Sequence, residues 1–254
     1  MSNSDQSSPV KGILLDIEGT TSSIDFVYDV MFPYARKNFA AYLQANFASD
    51  QVQSALPLLA ADLKFDSVDA MFAQCDDDSD DTRQEFVHRS LIGLMDGDVK
   101  STGLKKLQGM VWESGFHSGE MVAHLYNDVA PAIEAWKAAG IDVRIYSSGS
   151  IYAQKLFFGH SVAGDLLPHF SGHYDTTIGH KQESESYLKI AADWIEASQI
   201  LFISDVAAEL DAAKTAGMQT MLSLRPGNKP VSNVDAYLAI DSFLQVSPML
   251  AAVK

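Results

Sequence analysis

Short apolar runs that stop at polar or acidic residues recur along the chain, and helically spaced stretches lie between them. The first run, Ile13-Leu14-Leu15, ends in Asp16 and Glu18 and then turns at Gly19-Thr20-Thr21. Side chains two apart on a strand share a face, so the pattern predicts that Asp16 and Glu18 project together. They would do so at a strand's carboxyl end, where open α/β sheets keep their ligands.

From Ile24 to Asn127 the apolar spacing changes to three and four residues, as in DFVYDVMFPYARKNFAAYLQANF, with Pro33 dividing it into two helical pieces. Thr82 and Glu85 stand at capping-box spacing ahead of FVHRSLIGLM, and Gly97 supplies a stop. LKKLQGMVWESGF is another predicted helix, weakened at Gly109 and Gly115. Its Lys105, Gln108 and Trp112 share a face, which suits packing with a polar edge or a lid over a substrate. Few strands are legible here, so the block reads as an all-helical insert.

Beyond Asp128, strand and helix patterns alternate. AIEAWKAA follows Pro131 and ends at Gly140; IDVRIYSSGS is a strand running into a turn, and IYAQKLFFGH is the next helix. HYDTTIG is a short strand, Lys181 precedes the helix ESYLKIAADWI, and ILFIS ends at Asp205. A helix carrying Glu209, the strand QTMLSL, the turn RPGN, an edge strand in YLAIDSF and a closing short helix complete the order. Repeated strand–helix–strand units imply an α/β fold: a doubly wound parallel, Rossmann-like sheet with helices on both faces. The expected division is residues 1–24 and 128–254 as the α/β catalytic core and 25–127 as a helical cap domain inserted after the first strand.

Composition narrows the partners. The chain has 254 residues, 47% of them hydrophobic, which is ample for a sizeable core. No run of 18 apolar residues exists, so no membrane span is expected, and the polar start MSNSDQSSP reads as a frayed tail without a signal segment. The single cysteine, Cys75, fits a reducing, cytoplasmic setting. A formal charge of −15 argues against nucleic acid and acidic membranes. A small anionic substrate would then need local positive charge from a metal or a placed lysine.

The candidate chemistry collects at predicted strand ends. Asp16 beside a second acid suits a carboxylate nucleophile with a proton carrier. Ser147, Ser148 and Gly149 at a strand-to-helix turn form a candidate anion site, though serine N-capping would look the same. Asp16, Ser147, Lys181 and Asp205 all fall at carboxyl ends of strands or in the loops beyond, where one sheet edge can gather them.

These segments carry a resemblance. LLDIEGT, YSSG, Lys181 and FISDVAAE resemble, in order, the four motifs of the haloacid dehalogenase superfamily, in the subgroup with a helical cap after the first strand. Longer strings, among them KKLQGMVW, HYDTTIGHKQESESY and RPGN, extend the likeness to one branch of it. That branch enolises a phosphorylated diketone and removes its phosphate in methionine salvage. Ordinary phosphatases of the superfamily read Asp-x-Asp-Gly-Thr, whereas this chain has Glu18 at the second acid, as the branch does. Glutamate is longer by one C–C bond, about 1.5 Å.

The resemblance implies Asp16 as nucleophile, Glu18 as acid and base, and Lys181 as the transition-state cation. Ser147, Ser148 and Gly149 would hold the phosphoryl oxygens, and Lys181 would also contact substrate. It implies a Mg²⁺ cofactor on Asp16, the Glu18 backbone carbonyl and Asp205. Glu209, one turn after Asp205, could steady a metal-bound water or stand solvated on its helix. Glu18 leads the candidates for the enolisation base, with Glu113 and Glu120 as alternatives. The implied partner is a small phosphorylated diketone, and the chain is expected to be a monomer.

Other features carry less. The run Asp76-Asp77-Asp78-Ser79-Asp80-Asp81 lacks the glycine and distant glutamate of an EF-hand loop and reads as a solvated linker. His160, His169, His173 and His180 lack metal-site spacing, and Cys75 beside the acidic run makes a poor nucleophile. Phe26, Tyr28, Phe32 and Tyr34 read mostly as core, with room for one or two to line a pocket for a thioether tail. Two rivals remain open: another phosphohydrolase or dehalogenase on this scaffold, and a non-catalytic phosphate binder. The second should have lost Asp16 or Asp205, and neither is lost.

Overall fold

The computed structural model of the protein describes residues 8–99 and 101–247, so most of the amino-terminal tail and the last residues of the chain lie outside the described residues. It separates into two compact units, Met1–Val27 with Val122–Lys254, and Tyr28–Met121.

The first unit is built on six parallel strands: β1 (Gly12–Leu15), β2 (Asp142–Tyr146), β3 (Gly172–Tyr174), β4 (Ile200–Ser204), β5 (Gln219–Ser223) and β6 (Ala239–Ile240). Their order is β3-β2-β1-β4-β5-β6. The chain winds outward from β1 in one direction and from β4 in the other, which puts the topological switch between these two strands. Every residue of β1 and β4 is buried. Apolar runs such as GILL and ILFIS can be satisfied only by cover on both faces of a parallel sheet. Register aligns Leu15 with Ile145 of β2 and with Ile203 of β4. The residues that follow these strands, Asp16, Ser147 and Asp205, therefore emerge at one edge.

The second unit contains α1 (Phe32–Asn46), α2 (Asp50–Asp62), α3 (Val68–Phe72), α4 (Asp80–Asp96) and α5 (Thr102–Ser118). A π-helical turn, Phe26–Met31, leads into α1, and Pro33 sits in the first turn of α1, where its missing N–H costs nothing. Two helical pieces, one π-helical and one α-helical, therefore meet just before the proline, as expected. The helix α4 is capped three residues before the expected Thr82. Its cap is Ser79, whose Oγ accepts from the Thr82 N–H, and Asp80 and Asp81 occupy the first turn. Acidic residues suit the positive end of the helix dipole, so part of the acidic run is helix.

The helix α5 is unbroken. A Cβ on Gly103 would come within 2.5 Å of the Leu59 backbone nitrogen, and one on Gly115 within 2.6 Å of the Tyr34 ring. These glycines permit close helix contact. On the face shared by Lys105, Gln108 and Trp112, the last two are buried, and the Trp112 indole donates to Met31 O at 2.8 Å. Packing accounts for that face.

The remaining helices belong to the α/β unit: α6 (Val129–Ala138), α7 (Ile151–Gly159), α8 (Ser184–Ala192) and α9 (Ala207–Thr215). No helix among the described residues is long and apolar enough to cross a membrane.

Candidate active site

Asp16 directly follows β1, and its N–H donates to Ile203 O on β4 at 3.1 Å, so the sheet fixes its backbone. Its side chain is buried and held at both oxygens. Lys181 Nζ lies 2.5 Å from Oδ1, and Thr20 Oγ1 donates to Oδ2 at 3.3 Å. The strand stops at Leu15, so Glu18 stands in the following turn, bridged to Ser22, and strand alternation does not place it. Gly19 takes φ +73°, and a Cβ there would collide with the Asp205 carboxylate.

Lys181 is delivered by the loop between β3 and α8. Tyr187 of α8 donates its hydroxyl to Lys181 O at 2.7 Å, and Tyr146 at the end of β2 donates to Gly179 O at 3.0 Å. The ammonium also meets Glu209 Oε2 at 2.6 Å. Glu209 accepts in addition from Ser204 Oγ at 2.9 Å. This glutamate is buried in the first turn of α9, which removes the solvated alternative for it. Burial works against the charged form of Lys181, yet Asp16 and Glu209 outweigh it and hold its pKa above the ordinary lysine value.

Asp205 directly follows β4. Burial, and then the charge of Asp16, push its carboxyl up to about 7, with Lys181 opposing. Burial, with Asp16 adding, also raises Glu209 against the pull of Lys181. Two carboxylates thus share one ammonium, and a third, Asp205, lies within reach of its charge. Hard oxygen donors with an excess of negative charge suit a small divalent cation, which would relieve the cost of ionising Asp205. Among the described residues no three His, Cys, Asp or Glu side chains are grouped to hold an ion. A site of two carboxylates completed by a backbone carbonyl is compatible with that.

The candidate anion turn follows β2. Ser147 is buried, Ser148 is exposed, and the Gly149 N–H donates to Ser147 Oγ at 3.2 Å. Ser150 caps α7 by accepting from the Ala153 N–H, so the helix cap is not drawn from Ser147 or Ser148. Two residues that sequence reasoning passed over brace this turn. Gln154 of α7 donates to Gly149 O at 2.9 Å and to Tyr174 O at 2.8 Å, and Asp175 accepts from the Ile151 N–H at 3.1 Å. A buried glutamine on a helix and an acid after a short strand carry no distinguishing sequence signal.

The alternative acids lie in the helical unit. Glu120 is exposed and accepts from the Tyr34 hydroxyl at 2.8 Å, and Glu113 is half-buried. Of the histidines, His160 pairs with Leu156 O at 3.0 Å and His173 with Gln154 Oε1 at 3.1 Å.

A doubly wound parallel sheet thus carries a buried, lysine-paired aspartate at its switch point. Residues 10–217 match the family of haloacid dehalogenase-like hydrolases. A Synechococcus elongatus protein named Enolase-phosphatase E1 is 48% identical over 91% of this chain and 95% of its own. A Drosophila mojavensis protein of the same name is 42% identical over 94% and 96%. A crystal structure of the Saccharomyces cerevisiae UTR4 protein is similar at TM-score 0.74 and 34% identity, covering 92% of this chain and 98% of that one. The chain belongs to the haloacid dehalogenase-like hydrolases and, within them, to the Enolase-phosphatase E1 family.

Proposed function

We infer that the protein is a bifunctional enolase-phosphatase of methionine salvage. It converts 2,3-diketo-5-methylthiopentyl-1-phosphate into 1,2-dihydroxy-3-keto-5-methylthiopentene and phosphate. The kinship to proteins of that name supports this reading. The observation that carries the chemistry is the buried Asp16 carboxylate, held at one oxygen by Lys181 and at the other by Thr20.

In the phosphatase half, Asp16 attacks phosphorus in line and becomes an aspartyl phosphate as the substrate's bridging oxygen leaves. Glu18 protonates that oxygen, then takes a proton from the water that hydrolyses the acyl phosphate. Lys181 offsets charge on the transferring group, which a compact ammonium does well. The Ser147–Gly149 turn binds the phosphoryl oxygens, with Ser148 free to donate its hydroxyl. In the enolase half, a base must reach a proton on carbon next to a carbonyl, within about 3 Å. Glu18 is the proposed base, shuttling the same proton.

Asp16, Asp205 and the Glu18 backbone carbonyl are the proposed holders of Mg²⁺. When bound, that ion would supply charge neutralisation at the phosphoryl group and at the enolate. The test is purified protein with the diketo phosphate, following enol absorbance and phosphate release together. Both signals should require Mg²⁺ and stop with chelator. Glu18→Gln should slow one or both steps; normal rates in both would remove Glu18 as the proton carrier.

A further inference from the structure

The end of β5 and the loop after it take no part in the chemistry above, yet their polar side chains converge on the turn that follows β1. Asn228 Nδ2 donates to Gly19 O at 2.8 Å, and Ser223 Oγ donates to the same oxygen at 3.4 Å. Arg225 Nε donates to Thr20 O at 3.1 Å. The rest of the guanidinium is locked from behind. It forms a two-pronged pair with Asp128, at 3.0 and 2.9 Å, and also donates to Asp241 O at 2.9 Å. The rings of Tyr126 and Phe243 stand 4.5 and 4.9 Å from its centre. Asp128 is fixed in turn by the Phe243 N–H at 2.6 Å and Ser242 Oγ at 3.2 Å.

A buried ion pair is a poor device for stability alone, because desolvating both charges offsets most of their attraction. Its use is directional. A guanidinium can grip Asp128 with two nitrogens and hold the Thr20 carbonyl with a third, which an ammonium cannot reproduce. Thr20 in turn carries the hydroxyl that donates to Asp16 Oδ2, the oxygen opposite the one on Lys181. We propose that Arg225 is a positioning residue for phosphoryl transfer, fixing Thr20 so that its hydroxyl sets the plane of the Asp16 carboxylate. This rests on the reading of Asp16 as the nucleophile.

A displacement well under 1 Å at an attacking atom costs rate without costing binding, since a misplacement of about 1 Å can cost about 10²-fold. The test is a double-mutant cycle between Arg225→Lys and Thr20→Val, read as kcat and KM for phosphate release, with folding followed by thermal melting. Each single variant should lose about tenfold in kcat with KM within about twofold of wild type. The double variant should be no more than about twofold worse than the poorer single, because both break one relay. Thr20→Ser, which keeps the hydroxyl, should restore most of the rate.

Losses that multiply in the double variant, or a wild-type kcat in Arg225→Lys, would overturn the proposal. Should Arg225→Lys fail to fold, Asp128→Asn replaces it in the cycle. It should slow kcat in the wild-type background and not in Thr20→Val, and a loss equal in both would overturn the relay. Asp16→Asn serves as control. Turnover in that variant would overturn the nucleophile reading itself, whereas a dead Asp16→Asn beside a normal Arg225→Lys sinks the relay alone.

Discussion

In the α/β unit, Asp16, Asp175, Lys181, Glu209 and Arg225 are all buried, whereas the buried polar side chains of the helical unit are Ser101 and Gln108 among the described residues. The ion pairs of the helical unit, Arg36–Asp96 and Arg83–Asp78, lie at its surface. Both units have dense apolar cores, so a need for stability does not explain the contrast. Burying charge costs several kcal/mol per ion, to order of magnitude, unless partners compensate. An α/β unit that buries five charged side chains around one sheet edge is arranged for chemistry. A helical unit that keeps its charges wet is arranged for packing.

The contrast can be broken or sharpened by removing charges from each unit. The largest effect is expected at Lys181. Lys181→Ala should cut turnover at least about 10²-fold, by analogy with loss of one electrostatic stabiliser. It should also leave Asp16 and Glu209 buried without their shared counter-charge. A change under threefold would make this lysine structural and weaken the reading of the whole cluster.

A smaller effect is expected from acid. Burial depresses His173 in the α/β unit to about 4, with the Lys155 charge adding to this, so the folded state keeps the ring neutral. The unfolded chain binds the proton nearer pH 6.5, so between the two values the unfolded state holds more protons. Stability should therefore be full above about pH 6.5 and fall as the pH drops toward 4. Urea unfolding at stepped pH should show that fall flattened in His173→Gln; an unchanged slope would place the acid sensitivity elsewhere.

The smallest effect is expected in the helical unit. Arg36→Ala breaks an exposed pair and should leave both turnover and melting temperature where they are. A clear loss of either would show that a wet charge there does more than sit at a surface.

Much of the α/β unit was legible because its signals are local. Apolar runs ending in Asp16 and Asp205 mark buried strands directly, since a parallel sheet covered on both faces leaves no polar alternation to confuse them, whereas β2, DVRIY, alternates. The succession of strands along the chain and the position of Lys181 before α8 followed from the same alternation, whereas the order of strands within the sheet came from the structure alone. Helix starts in the other unit were less legible: Ser79, Thr82 and Glu85 all offer capping chemistry, and only the backbone decides that Ser79 acts. Glu18 was read from strand alternation, but β1 ends three residues earlier and a left-handed Gly19 turn governs that segment.

Most braces of the site carried no local signal, and Glu209 alone was legible, as one of two alternatives. Glu209 looks like any surface acid one turn into a helix. Arg225 and Asn228 act through backbone carbonyls far away in sequence, across 205 positions to Thr20 and 209 to Gly19. Contacts of that range depend on tertiary packing, which local pattern does not encode.

The most direct measurement is a single turnover with substrate labelled in its phosphate, quenched in acid with Mg²⁺ present or chelated. The account predicts transient, hydroxylamine-sensitive label on the peptide carrying Asp16, present only with Mg²⁺ and absent from Asp16→Asn. Phosphate released at full rate with no protein-bound label, or with the label on another residue, would contradict it.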